Sequence, residues 1–494
     1  MEKYFGFSTP EACGVSSDCV GAFLDRIQEK NYTLHSYLMA RHGRIFAEGY
    51  FAPFRQENFH RMFSISKTFV STAVGLLQDE GRLSLSDPIV RFFPDKVPEN
   101  LHPYLKNATI RDLLMMAGPF KGSFTYGPDK LDWVKSYFDT VPDHPAGAYF
   151  NYDTSGTYLV NAIVERVAGK PFLEYLKDKL LRAAGFSEDT WCIQAPEGYS
   201  WGGSGVFCTT RDLARLAQIY LDGGRVNGKQ LLSEEYVKAA TARQIDNCTN
   251  GWRTSMEGNG YGYQIWVTSD GGFAFLGMGE QIAYVRPDLD FIFVCTGDLQ
   301  GYPSSYHCVP DLVRAEILGK MHAEPLPEAP QAVRALRARE AALQFPVTLP
   351  GENTSPLAAG FCGKKFVFSE NDLGFETMQL DISGTCGTLT YRARGEEKKW
   401  HFGMGAYMQD KFPETHYFGR RECYPGGYPF RCFHAARWAE PHKLLIRTYI
   451  ADDHYGNLCT TISFTDGKAV VYMMKTAEWF MDEYEGLAVG MPQD

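Results

Sequence analysis

Ser64 and Lys67 stand three positions apart in "HRMFSISKTFVSTAVGLLQDEGRLSLSDP", residues 60–88. A serine hydroxyl is a poor nucleophile without a base beside it. A lysine amine serves as that base only when burial or neighbours depress its pKa. Residues i and i+3 share a helix face, so the amine can reach the hydroxyl. Phe63, Phe69 and Val70 flank Lys67 and would bury it. At a helix N-terminus the Ser64 amide could hold a developing oxyanion, favoured by the helix dipole. The tetrapeptide alone carries little weight, because short motifs recur by chance. Its bland reading is a capping serine with an exposed lysine one turn on.

A second candidate lies in "PAGAYFNYDTSGTYLVNAIVERVAGKP", residues 145–171. A phenol such as Tyr152 can shuttle a proton if a nearby cation stabilises its phenolate. Thr154 would add a hydroxyl, and Asp153 is most simply a turn residue. By itself Tyr152 reads as a packed aromatic with a satisfied hydroxyl. A third stretch, "GYSWG" (Gly198–Gly202), matches a Gly-x-Ser-x-Gly nucleophile elbow around Ser200. That elbow needs a strand before it and a helix directly after it. Pro196 precedes and more glycines follow, so Ser200 reads as a false match.

These residues need elements to hold them. Phe69, Val70, Ala73, Val74, Leu76 and Leu77 recur at helical spacing after Ser64, and Gly81 is placed to end that helix. "YLMARHGRIFAEGYF" (Tyr37–Phe51) alternates around His42-Gly43 as a hairpin. From about 85 to 220 the chain reads as mainly helical, with Thr109 as an N-cap, an amphipathic stretch Thr157–Gly169 that ends in Gly169, and the same pattern repeated over Thr209–Gly224. From about 260, "YGYQIWV", "FAFLGMG", "QIAYVRP" and "DFIFVCTG" read as consecutive antiparallel strands, followed by a helix over Tyr306–Met321. Residues 323–356, rich in proline and charge, read as a connector. Residues 357–494 are strand-like throughout and predict a separate antiparallel β domain, for which a barrel is one closure. Within it "CYPGGYPFRCF" (Cys423–Phe433) is a Gly/Pro loop that could form a lid or simply connect strands.

At 494 residues the chain is long enough for two or three domains. Hydrophobic content of 44% and charged content of 22% are those of a globular protein. A net charge of −10 argues against a broad nucleic-acid or anionic-membrane surface. No apolar run approaches the ~20 residues that span a bilayer. The first residues lack a basic segment followed by an apolar one, so no signal peptide is expected and the location is expected to be cytoplasmic. Twelve scattered cysteines, with no Cys-x-x-Cys pair, read as reduced thiols and not as a zinc site.

Taken together, residues from about 30 to 320 resemble the serine β-lactamase and penicillin-binding-protein-like superfamily. In style they are similar to class C β-lactamases, family VIII carboxylesterases, D-alanyl-D-alanine carboxypeptidases and nylon-oligomer hydrolases. Four stretches carry the resemblance: "MFSISKTFVSTAVGLL", "DEGRLSLSDPIVRFFP", "FNYDTSGTYLVNAIVERVAGKPFLEYL" and "WGGSGVFCTTRDLARLAQIYLDGG". The resemblance implies Ser64 as acylated nucleophile, Lys67 as its partner and Tyr152 as proton-transferring base.

Two departures stand out. The family often has Tyr-x-Asn or Tyr-x-Ser where this chain has Tyr152-Asp153-Thr154. The family's third motif is a strand with Lys-Thr-Gly, or His for Lys, whose cation helps hold a substrate carboxylate. Its expected counterpart here is Gly279-Glu280-Gln281, with no cation, which puts β-lactam and D-alanyl peptide turnover in doubt. A Glu280 facing the cleft would repel carboxylates and could attract an amine; the alternative is a Glu280 turned to solvent. Ile282 is the expected second oxyanion donor through its backbone amide.

The sequence thus predicts an α+β chain. A β-lactamase-like domain over 1–322, an antiparallel sheet flanked by helices with a helical subdomain, precedes the connector and the β domain. The expected function is serine hydrolysis of a small ester or amide, peptide-like bonds included, without metal or organic cofactor. The expected partner is a small-molecule or short-peptide substrate, with no nucleic acid and no membrane insertion; oligomeric state is left open. The competing class is a β-lactamase-like sensor or binding protein that does no catalysis.

Overall fold

The computed structural model describes residues 5–122, 130–248, 254–300, 307–414, 430–451, 455–475 and 482–493. It forms two compact units, Met1–Gln344 and Phe345–Asp494. The overall class is α+β.

The first unit is built on a seven-stranded sheet. Its strands are β1 (Gly6–Phe7), β2 (Leu34–Arg41), β3 (Arg44–Tyr50), β4 (Trp266–Val267), β5 (Phe273–Gly277), β6 (Gln281–Arg286) and β7 (Phe291–Gly297). They lie in the order β1-β3-β2-β7-β6-β5-β4. β1 runs parallel to β3, and the other pairs are antiparallel. The hairpin β2–β3 turns at His42 and Gly43, both at positive φ, the turn that matches strand twist. β7 pairs with β2 from Phe291 opposite Arg41 onward, so the N-terminal hairpin and the late strands share one sheet.

Helices pack on that sheet and on one another. They are α1 (Ser17–Glu29), α2 (Ser66–Asp79), α3 (Thr154–Ala168), α4 (Thr210–Leu221), α5 (Val309–Glu316) and α6 (Pro330–Ala341). Successive side chains on a strand point to opposite faces. Tyr37 accordingly packs on Phe23 of α1, with ring centroids 5.6 Å apart, while the Ser36 hydroxyl lies 2.6 Å from that of Thr210 on α4. Burial on both faces explains why β2 is apolar or neutral almost throughout.

α2 is buried on nearly every side, from Ser66 to Leu77. It ends as its glycine predicts. Gly81 adopts φ +68°, its amide donates to Gln78, and the Arg82 amide donates back to Leu77. Thr109 and Thr209 each open a helix with a full capping box, paired with Asp112 and Asp212.

The proline- and charge-rich stretch around 323–356 is not uniform. Its helix, α6, lies in the first unit: Leu336 is buried, and Tyr37 donates to Glu340 at 2.9 Å. Arg339 donates to the Gly21 carbonyl of α1. "YGYQIWV" is a strand only at Trp266–Val267, because Gln264 takes φ +61° and its amide turns to the Leu114 carbonyl.

The second unit is a β-barrel. Its strands are β8 (Lys365–Phe368), β9 (Phe375–Ser383), β10 (Cys386–Ala393), β11 (Glu396–Met404), β12 (Met408–Lys411), β13 (Arg431–Glu440), β14 (Lys443–Ala451), β15 (Tyr455–Thr465), β16 (Lys468–Lys475) and β17 (Gly486–Pro492). Their order is β11-β10-β9-β8-β17-β16-β15-β14-β13-β12. Parallel pairing of Gly403 and Met404 with Ala435 and Ala436 joins β11 to β13 and closes a ring of nine strands, with β12 beside it. Period-2 alternation sends Leu389, Tyr391, Trp400 and Phe402 into its core. Most of the loop Cys423–Phe433 lies outside the described residues, and its end forms the start of β13.

Candidate active site

Ser64 sits in a single 3-10 turn, Phe63–Ile65, that runs directly into α2. Phe63 holds φ +46°, an uncommon backbone state for a bulky residue and one that gathers at functional sites. Neighbouring elements over-determine that turn. The Met62 amide donates to the Val206 carbonyl at 2.8 Å, and the Val206 amide donates to the Ser66 hydroxyl at 2.9 Å. Arg61, fully buried, donates to the Ser204 carbonyl at 2.9 Å and stacks its guanidinium over the Phe63 and Trp201 rings.

One turn on, Lys67 is buried to 1% exposure, while Ser64 stays half-buried. Lys67 Nζ lies 2.9 Å from Ser64 Oγ and donates to the Gly203 carbonyl at 2.7 Å. Burial pushes its pKa down to about 7, against the opposing pull of the Asp153 charge. Near neutrality a sizeable fraction of the amine is therefore unprotonated.

Tyr152 comes from the other side, just before α3. Its ring centre is 5.0 Å from Lys67 Nζ. It stacks on Trp266 at 5.6 Å and meets Tyr261 edge-on. Asp153, read from the sequence as a turn residue, is the N-cap of α3. It is buried, and its carboxylate accepts from the Ser155 and Gly156 amides at 2.8 and 3.1 Å. Thr154 is the first residue of α3, and its methyl group lies over Gly203.

Gly203 and its neighbour carry no chemistry of their own, which is why sequence reasoning passed over them as site residues. A Cβ on Gly202 would come 2.5 Å from a Val70 methyl, and one on Gly203 would come 2.6 Å from the Thr154 methyl. The two glycines let one loop touch α2 and α3 together. Gln264 was also missed. It accepts from Thr157 at 2.8 Å, donates to the Leu113 and Leu114 carbonyls, and its own carbonyl accepts from Thr68. It thereby fixes the loop that carries Tyr261 and Trp266. Its left-handed φ leaves no trace in a sequence, since glutamine is an ordinary residue there.

The expected third motif falls elsewhere. β5 is the strand beside the nucleophile turn: a Cβ on Gly277 would lie 2.3 Å from the Met62 carbonyl. Gly279 and Glu280 form the turn after it, at φ +79° and +72°. Glu280 faces neither cleft nor solvent. It is 1% exposed, and its carboxylate accepts from the Cys308 amide at 2.8 Å, at the start of α5. Burial raises its pKa, while His307 and the helix amides work against that rise. Gln281 braces the hairpin through the Met278 and Gly297 carbonyls at 2.9 and 2.8 Å. Ile282 lies between Leu276 and Cys295 inside the sheet, so its amide belongs to the ladder and is not an oxyanion donor. β5 pairs with β4 only at Phe273 and Ala274, which leaves its Gly277 end facing the nucleophile turn.

Ser200 is buried in a bridge to Gln194. Its amide faces Glu165, and no helix starts before Thr210. This backbone is not a nucleophile elbow.

A profile of the beta-lactamase family matches residues 35–303, more than half of the chain. The chain belongs to the beta-lactamase family. The matched span contains Ser64, Lys67 and Tyr152 and stops short of the barrel. The 6-aminohexanoate-dimer hydrolase of Paenarthrobacter ureafaciens is 25% identical over 316 residues, covering 58% of this chain and 79% of that protein. A putative 6-aminohexanoate-dimer hydrolase from Bacillus anthracis shares the fold at a TM-score of 0.52 and 18% identity, over 66% of this chain and 89% of that one. EstCE1, a hydrolase with promiscuous acyltransferase activity, shares it at 0.50 and 15%, over 61% and 99%. Beta-lactamase family members of this kind are serine hydrolases of amides and esters. Among the described residues no His/Cys/Asp/Glu group could hold a metal ion, and no helix is long and apolar enough to cross a membrane.

Proposed function

We propose that this protein hydrolyses a small ester or amide through an acyl-Ser64 intermediate. The contact between Ser64 Oγ and the buried Lys67 amine, at 2.9 Å, carries the reading. The neutral amine accepts the Ser64 proton as Oγ attacks the carbonyl carbon. The negative charge that develops on the carbonyl oxygen is met by the Ser64 amide and by an amide at the Gly277–Met278 end of β5. Lys67 and Tyr152 pass the proton to the departing alcohol or amine. Tyr152, its own proton handed to the neutral Lys67, then draws a proton from water, which attacks the acyl carbon, and Lys67 returns a proton to Ser64 Oγ as the acyl bond breaks. Asp153 supports a charged Lys67 in the steps where the amine carries the proton.

β5 presents Phe273, Ala274, Phe275, Leu276 and Gly277, with no cation to hold a substrate carboxylate. Tyr152, Tyr261 and Trp266 offer aromatic surface instead. We infer that the preferred substrate is uncharged near the scissile bond, and that β-lactams and D-alanyl peptides are turned over poorly. Parallel assays with p-nitrophenyl esters, nitrocefin and D-amino-acid p-nitroanilides, on the wild type, Ser64→Ala and Ser200→Ala, test this. Hydrolysis of the esters that vanishes only in Ser64→Ala is the expected result. Undiminished hydrolysis by folded Ser64→Ala removes the assignment, and a wild type that neither turns over any probe nor reacts with a fluorophosphonate is a binding protein.

A further inference from the structure

The outer face of the barrel carries a patch that hydrolysis does not use. Six large hydrophobic side chains on β8, β16 and β17 are 40–53% exposed: Val367, Tyr472, Met474, Leu487, Val489 and Met491. They are half of all such residues among the described ones. The register makes them one strip. Val367 pairs with Met491, Val489 with the partly buried Val470, and Leu487 with Tyr472. Inward-facing neighbours such as Phe366, Val471 and Ala488 already fill the core, so these strands are apolar on both faces. A sheet face that only meets water alternates with polar residues, as β10 and β11 do with Thr388, Thr390, Glu397 and Lys399. Single exposed hydrophobics are ordinary, but a contiguous patch marks a contact.

Charge flanks the strip with opposite sign at its two ends. Lys364, Lys365 and Lys468 lie at one end, beside Met491, and outnumber the exposed Asp466 in the turn before Lys468. Glu485 and Asp372 lie at the other, around Gly486, both exposed, with Lys475 4.0 Å from Glu485. A twofold axis across the strands, near Val489, sets the basic end of one copy over the acidic end of another. The apolar centre amounts to roughly 500 Å², the size of patch that marks interaction sites. A standard stable interface buries roughly 800 Å² per partner, of which this centre would supply more than half. We propose that this face docks a second copy of the chain, giving an isologous dimer.

Sedimentation velocity of the full chain over a wide concentration range tests the proposal. The wild type is expected to form a dimer. Leu487→Glu should stay monomeric at the same concentrations, with unchanged circular dichroism and melting. Lys468→Glu should weaken association about tenfold, and adding Asp372→Lys to the same chain should restore it. These two exposed sites decide the matter if Leu487→Glu fails to fold. A wild type that is monomeric throughout, or a dimer indifferent to the charge reversal and its repair, overturns the proposal.

Discussion

With its amine held to about 7, Lys67 is part neutral and part charged near neutral pH. If the neutral amine is the base, kcat/KM must fall as pH drops below about 7 and level off above it. A pH profile on an uncharged ester reads this directly, and a flat profile from pH 6 to 8 would count against Lys67 as base. The same residue taxes the fold. Its folded pKa lies below the ordinary value of 10.5, so the unfolded chain binds more protons between about pH 7 and 10.5. Stability from this group therefore rises with pH across that window and is least below it. Lys67→Met should accordingly melt higher than the wild type at pH 7 while losing at least about a hundredfold in turnover. Ser64 and Lys67 were legible as a pair because i, i+3 spacing on a helix is local geometry. Glu280 and Ile282 were not. Their roles depend on which strand borders the nucleophile turn and on what lies behind it, and α5 lies behind Glu280.

The elements that meet at the site do so through caps and close backbone contacts. Asp153 caps α3 and also faces Lys67 electrostatically. Asp153→Ala should cost about 1–2 kcal/mol in unfolding free energy, the usual loss for a helix cap. Asp153→Asn keeps the cap, so its stability should stay near wild type while the acidic limb of the pH profile moves to lower pH. Equal melting losses in both variants would show that the charge and not the cap matters for the fold. Gly203→Ala places a methyl 2.6 Å from Thr154 and pushes away the carbonyl that Lys67 bonds. It should lower kcat at least about tenfold while KM changes little, because the proton relay is disturbed and substrate binding is not. Helix starts and stops were readable because Thr-x-x-Asp boxes and Gly81 act within one turn. The loop holding Gln264 was not, since its shape is set by carbonyls of residues 113 and 114.

At the scale of the molecule, each unit has its own core, so damage to one should leave the other's chemistry in place. In the barrel the Lys398 ammonium is ion-paired with Glu414, both nearly buried, and Tyr484 donates to the same carboxylate at 2.6 Å. Lys398→Ala leaves that carboxylate buried without its cation, which should cost the barrel about 3–5 kcal/mol. Calorimetry should show the barrel transition fall while fluorophosphonate labelling of Ser64 persists. Simultaneous loss of both would mean that the units unfold as one. The barrel's strands were plain from alternation and turn residues. Its closure was not, because that rests on two parallel pairings between strands about thirty residues apart.

The sequence by itself determined what depends on neighbours along the chain: the Ser64–Lys67 spacing, the helix caps, the strand periods and the family pattern that joins them. Only the tertiary structure decided which strand stands beside Ser64, that Gly203 receives the Lys67 proton donor, that Glu280 is spent on a helix end, and that apolar residues of three barrel strands form one outer strip. Those facts follow from contacts between segments tens to hundreds of residues apart, where burial and register, not local spacing, set each side chain's surroundings.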